Sequence, residues 1–245
     1  MTRLFGVDGC PGGWVVAEST LNLRRLDLSI TSDLESLFVN AANNGVVAID
    51  IPIGLPVSEP RACDLGARKE LGQPRGSSVF PAPARATLSA TSYAAAQELN
   101  RQALGVGLSR QCFCILPKIR DVDSLMTAER QQYIREAHPE VTFARLGGAP
   151  MIHNKKRSEG RAERLAVLEK AGLHVSQTWL AEERNRLRSR RVALDDLVDA
   201  LACLVTAYDI RIARSDSLGH PEERDAKGLL MEIVTCGAAR RSASA

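Results

Sequence analysis

Aromatic side chains are scarce: two Trp, three Tyr and five Phe make up 4% of the 245 residues. A surface that grips single-stranded nucleic acid by stacking bases on successive rings has little to build on in such a chain. Histidine is scarcer still, with four residues. The six cysteines, Cys10, Cys63, Cys112, Cys114, Cys203 and Cys236, form no pair of CxxC motifs and have no His at zinc-ligand spacing. A structural zinc centre is therefore not expected. No apolar run approaches the roughly 18 residues of a membrane span, and no signal peptide is expected ahead of Leu4. The resulting expectation is a cytoplasmic protein with free thiols and no membrane partner. Nor does one sign of charge dominate. With 32 Lys and Arg against 29 Asp and Glu, the formal net charge is +3, which permits a polyanionic partner without demanding one.

What is present is a globular composition, 44% hydrophobic and 25% charged, long enough for a single domain over residues 1–245 with an inserted loop and helical region at about 56–130. The most informative stretch comes first. An apolar run ends in Asp8 (Leu4-Phe5-Gly6-Val7-Asp8), the turn Gly9-Cys10-Pro11-Gly12-Gly13 follows, and a second apolar run begins at Trp14. This is a hairpin signal that leaves one carboxylate at a strand end with little bulk around it.

Residues 3–8, 14–20 and 24–30 read as an antiparallel meander of three strands. Ser32 or Asp33 caps a helix over Leu34–Ala42, and Asn43-Asn44-Gly45 stops it. The run Val46 to Pro52 is apolar and β-branched, as in a strand buried on both faces, and its single charge is Asp50. Pro, Gly, Ser and Arg then dominate as far as Pro83, around a short helical stretch at Cys63–Leu71. A helix is expected over 91–104, a mostly extended or irregular segment over Leu108–Ile119, a helix over Ser124–Ile134, and a strand over Arg135–Phe143. In such strands Cys112 and Cys114 would share a face, as would Glu136, His138 and Glu140. A basic loop, Gly147 to Arg157, precedes a helix at 158–171. Arg184, Arg186, Arg188, Arg190 and Arg191, interleaved with Glu182 and Glu183, read as a solvated helix face. A last helix begins near Leu194 and carries Asp195, Asp196 and Asp199. Acids in a first turn suit the helix dipole, which accounts for Asp195. Asp199 lies deeper, against apolar core, and needs a partner there.

Taken together, Gly6-Val7-Asp8-Gly9-Cys10, Gly12-Gly13-Trp14, Ile49-Asp50-Ile51-Pro52-Ile53-Gly54-Leu55, Ser77-Ser78-Val79-Phe80-Pro81, Glu136-Ala137-His138-Pro139-Glu140, Lys155-Lys156, Glu159-Gly160-Arg161 and Asp195-Asp196-Leu197-Val198-Asp199 resemble the prokaryotic family catalogued as domain of unknown function 429, described as predicted RNase H-fold nucleases. The resemblance runs through most of the chain. It implies an α/β fold with an RNase H-like mixed sheet, three antiparallel strands and then parallel strands, flanked by helices and interrupted by an insertion after the acidic fourth strand. The segment Asp196–Ala202 is also similar to the closing helix of RuvC-type junction resolvases. By that likeness Asp8, Asp50 and Asp199 form an acidic set, with Asp196 or Glu136 as its fourth member, and nucleic acid is the partner; a homodimer, as in those resolvases, is one assembly the sequence leaves open.

Converging carboxylates repel one another, and protonation or a divalent cation relieves the repulsion. Mg²⁺ or Mn²⁺ suits oxygen ligands borne on different elements. Two ions about 3.5–4 Å apart can activate a water and stabilise the leaving oxygen of a phosphodiester. In this reading Asp8 bridges two metals, Asp50 and Asp199 bind one each, and Asp196 or Glu136 orients the water. Glu136 is preferred to Glu140, which after Pro139 is expected to pair with a neighbouring Arg. His138 between the two is either a general base or a structural residue. Phosphate contacts are expected from Arg75, Ser77, Ser78, Arg110, Lys118, Arg120, Lys155, Lys156 and Arg161, Lys118 foremost because it stands in an apolar setting. Two further functions fit the same hairpin: an actin-like ATP-binding enzyme, and a noncatalytic nucleic-acid-binding protein that retains the fold.

Overall fold

The computed structural model describes residues 2–187 and 191–237, and the chain divides into two compact units. The first comprises the chain up to Asp50, Tyr133–Asp216 and the stretch from Val234; the second comprises Ile51–Gln132 with Ser217–Ile233.

The first unit is built on a mixed five-stranded sheet among the described residues. Strands β1 (Arg3–Cys10), β2 (Gly13–Thr20) and β3 (Asp27–Thr31) form the antiparallel meander, with Asp8 opposite Val15. Helix α1 (Leu34–Ala42) begins where Ser36 N donates to Asp33 Oδ1 at 2.9 Å, and it returns the chain to β4 (Gly45–Ile49), parallel to β1 with Val7 opposite Ile49. After the second unit the chain comes back as β5 (Ile134–Glu136), parallel to β4 with Ile49 opposite Glu136. The order is β3-β2-β1-β4-β5, so the α/β class and the antiparallel-then-parallel arrangement of an RNase H-like sheet are both observed. Helices α5 (Pro139–Gly147), α6 (Ser158–Lys170), α7 (Gln177–Leu187) and α8 (Leu194–Arg211) complete the unit.

Helix α8 makes the core. Its Leu197, Leu201 and Leu204 are buried with Leu4, Val15, Ala17, Val46 and Ala48 of the sheet. It lies so close to β1 that a Cβ on Gly6 would stand 2.1 Å from both Ala200 O and Leu204 N. Only glycine fits there, because backbone, not a movable side chain, fills the space.

In the second unit, α2 (Ala62–Arg75) is interrupted by non-helical backbone at Gly72 and Gln73, α3 (Tyr93–Leu104) is capped by Ser92, and α4 (Arg110–Leu125) is capped by Ser109. Strands β6 (Ser215–Arg224) and β7 (Leu230–Cys236) pair. Two buried acids anchor this unit. Asp64 accepts from Arg61 Nε and Nη2, at 3.1 and 2.5 Å, and from Ala82 N at 2.8 Å. Asp225 accepts from Arg85 and from the backbone N–H groups of Leu55, Lys227 and Leu229.

Several sequence expectations are corrected. Leu108–Ile119 is not extended: α4 covers most of it, burying Cys112, Leu116, Ile119 and Val122 along one stripe at helical spacing. Pro117 inside the helix removes one i→i−4 bond and hides the pattern. Cys112 and Cys114 therefore do not share a face; the first is buried and the second exposed. None of the six cysteines is in a disulfide. The helix expected over Ser124–Ile134 ends at Leu125, and the strand expected over Arg135–Phe143 stops at Glu136 because Pro139 opens α5, where a missing N–H costs nothing. Of the arginine run, Arg184 and Arg186 lie on α7, while Arg188 and Arg190 fall outside the described residues.

Candidate active site

Strand alternation decides which acids can meet. On β1, Leu4, Gly6 and Asp8 share the face that α8 covers, while Phe5 and Val7 face the opposite way. Parallel pairing of Gly6 with Ala48 and of Val7 with Ile49 carries the same division onto β4. Asp50, directly after β4, donates its N–H to Val7 O at 2.9 Å and thus continues the face of Asp8. Glu136 pairs with Ile49, so it belongs to the other face. It is buried there, and the structure does not bring it to Asp8 and Asp50.

Asp199 reaches these two from α8, one turn into the helix and 2% exposed. Lys155 Nζ lies 2.5 Å from Asp199 Oδ2, whereas Asp199 Oδ1 is buried without a hydrogen-bond partner. Asp8 Oδ1 accepts from Gly9 N at 2.8 Å. Asp196, half-buried in the first turn of α8, accepts from Ala193 N at 2.9 Å, an N-terminal capping contact. Its charge still bears on Asp8.

The electrostatics follow from this crowding. Burial pushes the Asp8 carboxyl well above its ordinary range, and the charges of Asp50, Asp199 and Asp196 push it further while Lys155 opposes them. Asp50 is raised by burial, against His138 and Lys155 and with Glu140. Asp199 is raised to about 7, by burial first, with Lys155 opposing and Asp50 and Glu140 adding. Lys155 is raised in turn: burial lowers it, but the three aspartates together outweigh that. Beneath the group, the Cys203 thiol is pushed up by burial and by the same three charges, which keeps it inert as a nucleophile.

Glu140 is the acid that pairs with an arginine, as its sequence context predicts: Arg164 Nη2 donates to its Oε1 at 2.5 Å. Yet its charge also reaches Asp50 and Asp199, and its Oε2 is buried without a partner, as is His138 Nδ1. Arg164, fully buried, was not legible as a site residue. Only its place four residues after Gly160 on α6 hints at the inward face.

Lys155 sits on a loop fixed from several sides. The N–H groups of Ile152 and His153 donate to the Glu163 carboxylate at 2.7 and 2.9 Å, and Arg164 Nη1 donates to His153 O at 3.1 Å. A Cβ on Gly160 would stand 2.0 Å from Asn154 O, so this glycine lets the loop lie directly on α6.

Of the expected phosphate contacts, Lys155 joins the carboxylates, and Lys156 lies exposed beside it. The others named by residue belong largely to the second unit, with partners of their own. Arg120 donates to Leu88 O at 2.7 Å and to Ala90 O, the Arg110 guanidinium stacks 4.7 Å over the Tyr93 ring, and Ser78 Oγ donates to Arg75 O at 2.7 Å. Lys118, expected as a base in an apolar setting within an extended or irregular segment, is half-buried on α4.

As they stand, no three His, Cys, Asp or Glu side chains among the described residues are disposed to hold a metal ion. The donor set nonetheless fits a hard divalent cation: all-oxygen, in excess of its one ammonium, with a buried carboxylate oxygen lacking a partner. Among the described residues no helix is long and apolar enough to cross a membrane. A search of curated proteins and a search of solved structures each returned no match. The family model described as protein of unknown function (DUF429) matches residues 6–225, nearly the whole chain, and the protein belongs to that family.

Proposed function

We propose that the protein is a cytoplasmic, divalent-metal-dependent hydrolase of phosphodiester bonds in nucleic acid, with Asp8, Asp50 and Asp199 as the residues that hold Mg²⁺ or Mn²⁺. One observation carries this reading: three acids from two parallel strand ends and a helix crowd round a single ammonium, with Asp50 and Asp199 raising the proton affinity of Asp8 and Asp50 that of Asp199. A fold that only needed stability would not retain such repulsion. The cation would supply positive charge to a phosphoryl oxygen and make a water more acidic. The chain supplies the rest. Asp8 and Asp50 are fixed by adjacent parallel strands, and Asp199 by the backbone contact at Gly6, a rigid set of the kind that positioning requires. His138, close enough to Asp50 to interact with it, offers in its neutral form an imidazole nitrogen that can accept a proton. Lys156 and Arg157, exposed directly after Lys155 in the chain, suit backbone phosphates.

The Lys155–Asp199 ion pair favours one second reading, a noncatalytic nucleic-acid-binding protein whose lysine stands in permanently for the metal. Calorimetric titration of Mn²⁺ into wild type, Asp8→Asn and Asp199→Asn, followed by cleavage assays on branched and linear DNA and RNA, separates the two. The hydrolase reading requires Mn²⁺ binding that both variants lose, with cleavage lost alongside. Salt-sensitive binding of nucleic acid without metal uptake, even with substrate present, rejects it.

A further inference from the structure

Lys155 differs from an ordinary surface lysine in how it is held. Its ammonium touches Asp199 Oδ2 at 2.5 Å, and its side chain is 39% exposed while that of Asp199 is 3% exposed. It thus stands between solvent and the most deeply buried acid of the group. The backbone behind it is fastened through Glu163, Arg164 and Gly160, and Arg164 is itself locked to Glu140 and to Gly160 O. Such fastening places one positive charge at a set position rather than leaving a flexible stem to find an acid. Its neighbour Lys156 is exposed, although its own backbone N–H donates to Asn154 Oδ1 at 2.9 Å.

Resting on the metal-dependent reading above, we infer that Lys155 is the resident counter-cation of the carboxylate group, and that a divalent ion enters by displacing its ammonium from Asp199. Removing one partner of a buried ion pair leaves an uncompensated charge, so the metal-free group needs this ammonium. Once a divalent ion neutralises the same oxygens, the ammonium is released toward the exposed side of the loop. Lys155 therefore competes with the metal, and metal affinity measured on the wild type is lower than the carboxylates alone would give.

The test combines calorimetry with amine-specific labelling read by mass spectrometry at fixed pH. Lys155→Met is expected to bind Mn²⁺ about tenfold more tightly than wild type, to melt at lower temperature in chelator, and to recover in Mn²⁺. Lys155→Arg, which keeps the charge, should resemble wild type and controls for folding. In the wild type, labelling at Lys155 should rise on adding Mn²⁺ while labelling at Lys156 stays constant. Equal or weaker Mn²⁺ binding by Lys155→Met, or unchanged labelling at Lys155 with Mn²⁺ bound, overturns the inference and leaves the metal-dependent hydrolase standing. Absence of Mn²⁺ binding in wild type and Lys155→Met alike overturns both.

Discussion

Two sets of acids, one in each unit, are held in opposite ways. In the second, Asp64 is enclosed by Arg61 and the Ala82 N–H, and Asp225 by Arg85 and three backbone N–H groups. In the first, Asp8, Asp50 and Asp199 are left with Lys155 and a single backbone donor on Asp8, and one buried oxygen of Asp199 has no partner. The same residue type thus serves two ends. Where every lone pair meets a donor, the carboxylate fixes loops. Where carboxylates face one another, the arrangement costs stability and is retained for what it can bind.

Breaking that contrast should give its largest effect in the second unit. Asp64→Asn strands the fully buried Arg61 and should cost about 3–5 kcal/mol in urea unfolding, with no change in Mn²⁺ affinity. Gly6→Val in the first unit forces α8 off the sheet and should cost about 3 kcal/mol; here Mn²⁺ binding should fall too, since Asp199 moves with the helix. Asp8→Asn should do the reverse of Asp64→Asn. In chelator it relieves repulsion and should stabilise by about 1 kcal/mol, while calorimetry shows metal uptake lost. Equal destabilisation by the two aspartate variants would erase the distinction.

The pH dependence sharpens it. Asp199 titrates at about 7 in the fold, above its unfolded value near 4. The folded protein therefore retains a proton that the unfolded chain has released. This contribution is complete below about pH 4 and is lost as pH rises through about 7, so melting temperature in chelator should fall across that window. Mn²⁺ should flatten the fall, because the ion stabilises the deprotonated form. The smallest effect is expected at Glu163, whose carboxylate holds only the loop N–H groups of Ile152 and His153. Glu163→Ala should cost about 1 kcal/mol and loosen Lys155, seen as increased labelling of that amine without metal.

How much of this was legible in the sequence depended on the range of the information needed. Helix α1 could be read to the residue, because its cap, its apolar stripe and its Asn-Asn-Gly stop are all local. Asp8, Asp50 and Asp199 stood out as single charges in apolar runs, which is again a local signal. The pairing of Glu140 with an arginine could be anticipated from its place after Pro139, but the faces of Glu136 and Glu140 could not be read locally. Their faces depend on the pairing of β5 with β4 and on where Pro139 turns the chain into α5, and neither is written in the alternation of the segment itself. Helix α4 was obscured by Pro117 and by its cysteines. Strand β6, with Gly219, Pro221 and a polar, largely exposed pattern, has no periodicity to detect.

The chain leaves the first unit right after Asp50 and returns at Tyr133, where three residues of β5 must find the edge of β4. Closing so long a loop is entropically costly, and a short strand returns few bonds for it. Pairing of β5 is accordingly expected to come late in folding, after the contiguous elements. The meander β1–β3 and α1, contiguous in the chain, form early. Helix α5, with His138 and Glu140 at its start, follows β5 directly, so these two neighbours of the carboxylates are expected to join the site after the meander has formed.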